Sequence, residues 1–273
     1  MTKPSQSIQP ADIAMLPPLK DCRVMVCNDD GFESEGIRIL LDTIRSFSDD
    51  VWLVAPNTNQ SARSRAYSIA QDVRVRQLDD RRFAVDGTPV DCAIVGLNGL
   101  IPGRRPDLVL SGVNEGTNLA EDIPVSGTIG ACMEAVDQGI PAIAFSQVGT
   151  YQASEGGTWL ATQEYLHELL PKLVGNLGPE LPLLNVNFPQ LKSREDLRGI
   201  KIVPSGRRPP AINVMNKVGN NADETIYYFD LLREDRGTYP DSDIHLALNG
   251  YVTITPLAWS PTNYSGLTRV ELN

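Results

Sequence analysis

The sequence predicts an α/β protein built on a mostly parallel sheet, and three observations carry that expectation. Short apolar runs such as "VMVC", "VWLVAP" and "PDLVLSG" alternate with stretches of helical periodicity, the signature of βαβ units. Several of those runs end in polar clusters, where open parallel sheets bind ligands. At 273 residues the chain can bury a sizeable core, and one domain with extensions suits it better than two.

Taken in order, residues 23–28 read as the first strand. Ile37, Leu40, Leu41 and Ile44 follow at i, i+3, i+4 and i+7, giving a helix with one apolar face. "VWLVAP" (51–56) is a second strand, "NTNQSARSRAYS" (57–68) an aperiodic loop, and "VRVRQL" with "RFAVD" a strand pair. The stretch 87–100 opens a helix with Thr88 as N-cap, Pro89 at the first helical position and Asp91 at the third. "PDLVLSG" (106–112) is a buried strand. Residues 126–139 form a helix with Ile129, Cys132, Met133 and Val136 on one face and Gly139 as its stop. "IPAIAFS" (140–146) is the next strand. Beyond it, 157–174 suggests a helix, and "LPLLNVNFP", "GIKIVPSG", "TIYYFDLL" and "GYVTITPL" suggest strands joined by polar segments. No internal repeat or low-complexity tract interrupts the chain. Residues 1–20 read as a loosely ordered tail and 21–273 as one domain.

The formal net charge of −10 and a pI near 4.7 argue against a duplex nucleic-acid binder, which needs a Lys/Arg surface to neutralise phosphates. Cys22, Cys27, Cys92 and Cys132 show no C-x-x-C spacing and read as reduced residues, mostly in apolar segments. No apolar run reaches the ~18 residues of a membrane span, and the first twenty residues lack a hydrophobic signal core. A cytoplasmic location is expected.

Polar residues gather at four predicted strand ends or loops: Asn28-Asp29-Asp30-Gly31, the loop holding Ser61, Ser111-Gly112-Val113-Asn114, and "DIPVSGT", which brings Ser126, Gly127 and Thr128 to a helix N-terminus. Adjacent strand residues point to opposite faces, so Asp29 and Asp30 share a ligand only where the chain leaves extended geometry, which Gly31 permits. An oxygen-preferring divalent cation, Mg²⁺ or Mn²⁺, would offset their repulsion and leave positions for water and phosphate. The bland alternative is a strand-ending turn in which Asp29 or Asp30 caps a helix. "SGT" offers successive N–H groups and hydroxyls to a phosphate, or simply an N-cap. Asn114 suits a neutral metal ligand or an Asx turn. His245 suits a proton donor or a structural hydrogen bond, and His167 the surface of a helix. "SGRRPP" (205–210) suits a solvated basic loop or a substrate clamp.

The set as a whole resembles the SurE family (stationary-phase survival protein E), metal-dependent phosphatases of nucleoside monophosphates. The similar segments are "CNDDGFESEGI", "VAPNTNQSA", "VDGTPVDCAIVGL", "PDLVLSGVNEGTNLAEDIPVSGTIGACMEAVDQGIPAIAFS", "LPLLNVNFP" and "GYVTITPL", spanning Val24 to Leu257. The resemblance implies one divalent metal ion per subunit held by Asp29, Asp30, Ser61 and Asn114. It places Ser126, Gly127 and Thr128 near the phosphate, with Asn28 and Gly112 completing the substrate-binding set. Asp29, Asp30, Asn114 and Thr128 are then the catalytic group. The implied reaction is hydrolysis of nucleoside 5′-monophosphates, with 3′-monophosphates as a further substrate class, by metal-activated water. A Rossmann-like three-layer core and a homodimer or homotetramer, to which the C-terminal half lends an extended arm, are also implied. Two departures stand out. After Ser61 the family has a glycine-containing stretch leading to Ser-Ile-Thr, where this chain has the bulkier, more basic "ARSRAYSIA", and "LAEDIPVSGT" lacks the family's glycine and tyrosine before Ser-Gly-Thr.

Other readings fit less well. A receiver-type signalling domain would carry its phosphorylated aspartate where this chain has Ser111 or Gly112. A haloacid-dehalogenase-type phosphatase wants Asp-x-Asp, whose period of two puts both carboxylates on one side. A nucleotide- or phosphate-binding module without catalysis is the remaining alternative, and phosphate release with and without chelator separates it.

Overall fold

The apolar run after Arg23 forms strand β1 (Val24–Cys27), buried at every position, and the helical pattern after it forms α1 (Glu35–Arg45), which buries Ile37, Leu40, Leu41 and Ile44. In the computed structural model, which describes residues 15–150, 158–209, 212–220, 224–232 and 239–258, the remaining elements follow in order. They are β2 (Val51–Pro56), β3 (Arg74–Asp79), β4 (Arg82–Asp86), α2 (Pro89–Val95), β5 (Leu108–Glu115), α3 (Gly127–Asp137), β6 (Ala142–Gln147) and α4 (Leu160–Val174). The C-terminal half adds β7 (Leu183–Phe188), β8 (Gly199–Ile202), β9 (Ile212–Asn220), β10 (Thr225–Leu232), α5 (Asp243–Leu248) and β11 (Tyr251–Pro256). Of the N-terminal tail, residues 1–14 lie outside the described residues, while Leu16 and Leu19 pack against the core.

Nine strands make one sheet in the order β3-β4-β2-β1-β5-β6-β7-β11-β8, with β3 antiparallel to β4 and β11 antiparallel to β7. All other pairs are parallel. Strands covered on both faces must be apolar throughout, and two clusters cover them. Ile37, Leu40 and Ile44 of α1 join Leu166, Leu170 and Leu173 of α4 on one face. Cys92 and Ala93 of α2 join Ile129, Cys132 and Ala135 of α3 on the other. The result is a three-layer α/β architecture. The chain steps from β1 to β2 in one direction and later places β5 on β1's other flank, so the strand order reverses between β1 and β5. A crevice forms outside the carboxyl ends of strands at such a switch point.

Local rules account for much of this. Thr88 Oγ1 accepts the Asp91 N–H at 3.1 Å while Asp91 Oδ2 accepts the Thr88 N–H at 2.8 Å, the reciprocal capping box that the Thr-Pro-x-Asp spacing predicts. Three elements differ from expectation. β5 runs three residues past Gly112, to Glu115, through an irregularity in its pairing with β6. Residues 212–220, which the sequence reading left unassigned, form a strand, β9, paired among the described residues with β10 in a separate hairpin, and the short α5 occupies the segment around His245. Neither shows a regular period in sequence: "INVMNKVGN" does not alternate, and α5 has only six residues.

Candidate active site

β1 ends at Cys27, so Asn28, Asp29 and Asp30 lie beyond regular strand geometry. Asn28 is fully buried and organises the turn: its Oδ1 accepts the Gly31 N–H at 3.2 Å, and its Nδ2 donates to Gly31 O and Ser34 Oγ, both at 2.9 Å. Gly31 sits at φ +105°, a conformation that a side chain would strain. Asn28 therefore spends both amide hydrogens inside the loop. Asp29, only 3 % exposed, and Asp30 leave that loop beside each other.

Asp29 meets the N-terminus of α3. A Cβ on Gly127 would lie 2.9 Å from Asp29 Cβ, so only glycine lets the helix approach this closely. Thr128 Oγ1 donates to Asp29 Oδ1 and stands 3.3 Å from Asn114 Oδ1. The N–H groups of Gly127 and Thr128 also favour the charged carboxylate. Asp29 thus ends a strand turn and occupies a helix N-terminus at once. The formal N-cap is Ser126, whose Oγ accepts the Ile129 N–H at 3.1 Å.

Asn114 reaches this point through the irregularity in β5. Ser111 pairs with Ala144 and Asn114 with Ser146, three steps against two, which is a β-bulge. Gly112, at φ +123°, makes it possible, since a Cβ there would fall 2.3 Å from Phe145 O. Its contribution is to the backbone path. Asn114 Nδ2 donates to Gly116 O at 3.0 Å, which leaves its Oδ1 toward Thr128 and Asp29. Asp30 Oδ2 accepts the Glu115 N–H at 2.9 Å.

Ser61 is exposed on the loop after β2, and that loop is tied to the acidic turn by the Gln60 N–H, 2.6 Å from Asp29 O. In and after this loop the chain places Ala62, Ser64 and Ala70 at positive φ. Such residues are strained and persist where surroundings hold them. Ser64 bonds to Val125 O and Pro124 O, and Ser68 to the Asp91 carboxylate. Ser61, Asp29, Asn114, Glu115, Asn118, Asp122 and Ser126 line one cleft of about 310 Å³. The structure so brings together Asp29, Ser61, Asn114, Ser126 and Thr128, with Asp30 adjoining.

Burial pushes the Asp29 carboxyl above the usual carboxylate range. Burial, and secondarily the neighbouring Asp29, pushes Asp30 up to about 7. Among the described residues no ion pair reaches either one. Two desolvated carboxylates, an amide oxygen and a hydroxyl, all oxygen donors, fit a hard divalent cation. Among the described residues there is no grouping of three or more His, Cys, Asp or Glu side chains that could hold a metal, so a cation here depends on the amide and hydroxyl as well.

Some supporting residues escaped the sequence reading. Asn185 and Asn187 of β7 bond to Asn118 O at 2.7 and 3.2 Å, Asn187 Oδ1 accepts the Asn118 N–H at 3.0 Å, and Asn118 Nδ2 donates to Ser146 Oγ at 2.8 Å. The signal was Asn-x-Asn in "LLNVNF", two polar groups on one face of a buried strand. Within the "SGRRPP" run Arg208 is buried and Arg207 exposed. His167 is exposed on α4, its ring 4.6 Å from that of Phe47. His245 lies half-buried on α5.

Fold and site together define a three-layer α/β protein with an acidic, oxygen-lined ligand cleft at the switch point of its sheet. A family model described as Survival protein SurE matches residues 24–211, and the chain belongs to the SurE family. It is 36 % identical over 258 residues to a protein named 5′-nucleotidase SurE from Paramagnetospirillum magneticum, covering 93 % of this chain and 98 % of that one. A protein of the same name from Phenylobacterium zucineum is 37 % identical over 236 residues, covering 86 % and 90 %. The crystal structure of SurE protein from Aquifex aeolicus superposes with a TM-score of 0.76 at 33 % identity, covering 90 % of this chain and 97 % of that one.

Proposed function

We propose that the chain is a metal-dependent 5′-nucleotidase, hydrolysing nucleoside 5′-monophosphates, and 3′-monophosphates as a second class, to nucleoside and phosphate. The observation that carries this reading is the meeting of Asp29 and Asn114 on Thr128 at the N-terminus of α3, inside a cleft that a phosphate ester can enter. The shared name of the relatives supports the substrate class. Asp29, Asp30, Asn114 and Ser61 would hold one Mg²⁺ or Mn²⁺. When bound, that ion supplies positive charge to the phosphoryl oxygens and lowers the pKa of a water. The chain's own groups do the rest. Thr128 fixes the Asp29 carboxylate, and the Gly116 carbonyl fixes the Asn114 amide. Ser126 and the positive end of α3 face the cleft, where anionic charge is favoured.

The reading includes a cytoplasmic location, supported by four free, buried cysteines. It also includes a homodimer or homotetramer, supported by Val218, Ile226, Tyr227 and Tyr228, which the β9–β10 hairpin exposes. Among the described residues no helix is long and apolar enough to cross a membrane. The test is phosphate release from a panel of nucleoside 5′- and 3′-monophosphates with added Mg²⁺ or Mn²⁺ and with EDTA. Release that EDTA abolishes is expected. No release from any substrate overturns the enzyme reading in favour of a binding module.

A further inference from the structure

Ser61 lines the cleft from a loop, 57–68, that belongs to no strand or helix. The near end of this loop is tied to the acidic turn: the Gln60 N–H donates to Asp29 O, and Asn59 Oδ1 accepts the Ser61 N–H at 2.9 Å. Beyond Ser61 the backbone holds Ala62 and Ser64 at positive φ, so it relaxes unless bonds further along restrain it. One set of bonds goes to the neighbouring loop and to α2. Ser64 donates from its N–H to Val125 O at 3.0 Å and from Oγ to Pro124 O at 2.7 Å, Thr88 Oγ1 donates to Ala66 O at 2.7 Å, and Ser68 donates to the Asp91 carboxylate.

The second set reaches α3 itself. Gly130, Glu134 and Asp137 stand at i, i+4 and i+7 and so share one face of that helix. A Cβ on Gly130 would overlap Ser64 O, which means the loop backbone lies directly on this face. Two residues spaced i, i+2 along the loop then reach the carboxylates. Tyr67 Oη donates to Glu134 Oε2 at 2.6 Å, while Arg65 Nη2 donates to Asp137 Oδ2 and lies 3.2 Å from Tyr67 Oη and 3.7 Å from Glu134 Oε2. Glu134 is buried and also accepts from Gln138 Nε2 at 2.7 Å, so α3 fixes this acceptor from its own side. The helix so gripped is the one whose first turn meets Asp29 through Thr128. We propose that Arg65 and Tyr67 are positioning residues of the site: by docking the loop on the Gly130, Glu134 and Asp137 face of α3 they hold Ser61 in register with the acidic pair. This inference rests on the reading of Ser61 as a ligand of the divalent cation. The bonds of Ser64, Ala66 and Ser68 survive the loss of Arg65 and Tyr67, so that loss loosens the loop without unfolding the protein.

The experiment compares wild type with Arg65→Lys, with Ser61→Ala, with the double variant Arg65→Met and Tyr67→Phe, and with the triple variant that adds Ser61→Ala to that double. Calorimetry gives Kd for Mg²⁺ or Mn²⁺ alone, brief trypsin treatment gives the rate of cleavage after the exposed Arg63, and melting temperature is the control. The double variant is expected to bind the cation about 10-fold more weakly, as for losing hydrogen bonds to charged groups, and to be cut after Arg63 about 10-fold faster or more. Arg65 meets Asp137 through one nitrogen, so Arg65→Lys keeps the ion pair and should stay within about threefold of wild type on both measures. Because the action runs through Ser61, the triple variant should bind the cation within about twofold of Ser61→Ala, the non-additivity expected of residues that act as one unit. Should the double variant not fold, Arg65→Gln carries the same expectations. Where Ser61→Ala weakens binding, three results overturn the proposal: an unchanged Kd in the folded double variant whatever its Tm, an unchanged rate of cleavage, or a triple variant weaker than Ser61→Ala by the full factor of the double. A wild type that binds no cation, or a Ser61→Ala that binds it as wild type does, defeats the metal reading of Ser61 instead, and the rate of cleavage after Arg63 then decides whether Arg65 and Tyr67 dock the loop.

Discussion

Thr128 Oγ1 donates its hydrogen to Asp29 Oδ1 and lies 3.3 Å from Asn114 Oδ1, so one hydroxyl on the first turn of α3 sets the spacing of two oxygens that arrive from β1 and β5. Without it the Asp29 carboxylate would be held only by backbone N–H groups, with nothing tying it to the Asn114 amide.

Thr128→Val keeps the shape and removes that hydroxyl. kcat/KM is expected to fall roughly 10- to 100-fold, the range for losing a hydrogen bond to a charged group. Because Ser126, not Thr128, accepts the Ile129 N–H, the helix keeps its cap. Ser126→Ala, by contrast, should cost about 1 kcal/mol, a fall in Tm of about 2–4 °C. Kinetics and melting measured on both variants check the division of labour. Unchanged kinetics with a lowered Tm in Thr128→Val would return Thr128 to a purely structural role.

Gly127→Ala tests the close approach of helix and carboxylate. The added Cβ would meet Asp29 Cβ and Pro89 Cγ at 2.9 Å and Asp29 Oδ2 at 3.0 Å, with no flexible side-chain end to yield. Asp29 must shift, and kcat/KM should fall by about 10-fold or more, since a displacement of about 1 Å at a site can cost 100-fold. Wild-type activity in the folded variant would show that Asp29 has no fixed place in the reaction.

The acidic pair, the serine-glycine-threonine helix start and the capping box were legible because each is written in adjacent or closely spaced residues whose turn chemistry is local. The roles within the cluster were less so. Asn28 and Gly112 stand out in the sequence beside the site, but where their side chain or backbone goes depends on the turn after β1 and the bulge in β5, which composition does not specify. Asn118, Asn185 and Asn187 meet only because β7 lies next to β6 in the sheet. Arg208 meets Asp122 across 86 positions of sequence. β9 went unread although its hairpin partner β10 was read, because "INVMNKVGN" mixes apolar and polar residues without a period of two, whereas "TIYYFDLL" is rich in β-branched and aromatic residues.

Asn187→Val tests the support beneath the cleft. Its Oδ1 is the partner of the Asn118 N–H, which is buried, so the substitution leaves that donor unsatisfied at a cost of about 1–3 kcal/mol. The melting temperature should drop and, because Asn118 lines the cleft, kcat/KM should drop with it. A variant as stable and as active as wild type would show that water or a shifted amide replaces the bond.

Metal and pH should act together on stability. Asp30 titrates at about 7 in the metal-free fold against an ordinary 3.8, raised first by burial and then by Asp29, and Asp29 is raised in the same direction. A carboxyl whose folded pKa is raised contributes most below its unfolded pKa, where both states hold the proton. That contribution is lost as pH climbs through the folded pKa, because the unfolded chain ionises first. The metal-free protein should therefore lose stability from Asp30 between about pH 4 and pH 7, with Asp29 acting in the same direction. A divalent cation that binds only the ionised pair stabilises by mass action, so the rise in Tm on adding Mg²⁺ or Mn²⁺ should grow with pH. Other carboxylates, Asp50 and Asp91 among them, are shifted downward and tilt the overall curve the opposite way, so the informative comparison is with Asp30→Asn. Without metal, the Tm of Asp30→Asn relative to wild type should rise from pH 5 to pH 8, and its response to the cation should be weak at both. Melting curves of the two proteins at pH 5 and pH 8, in EDTA and in saturating cation, decide the matter. An equal metal-induced shift at both pH values, or in both proteins, would mean that the cation does not bind at the Asp29–Asp30 pair.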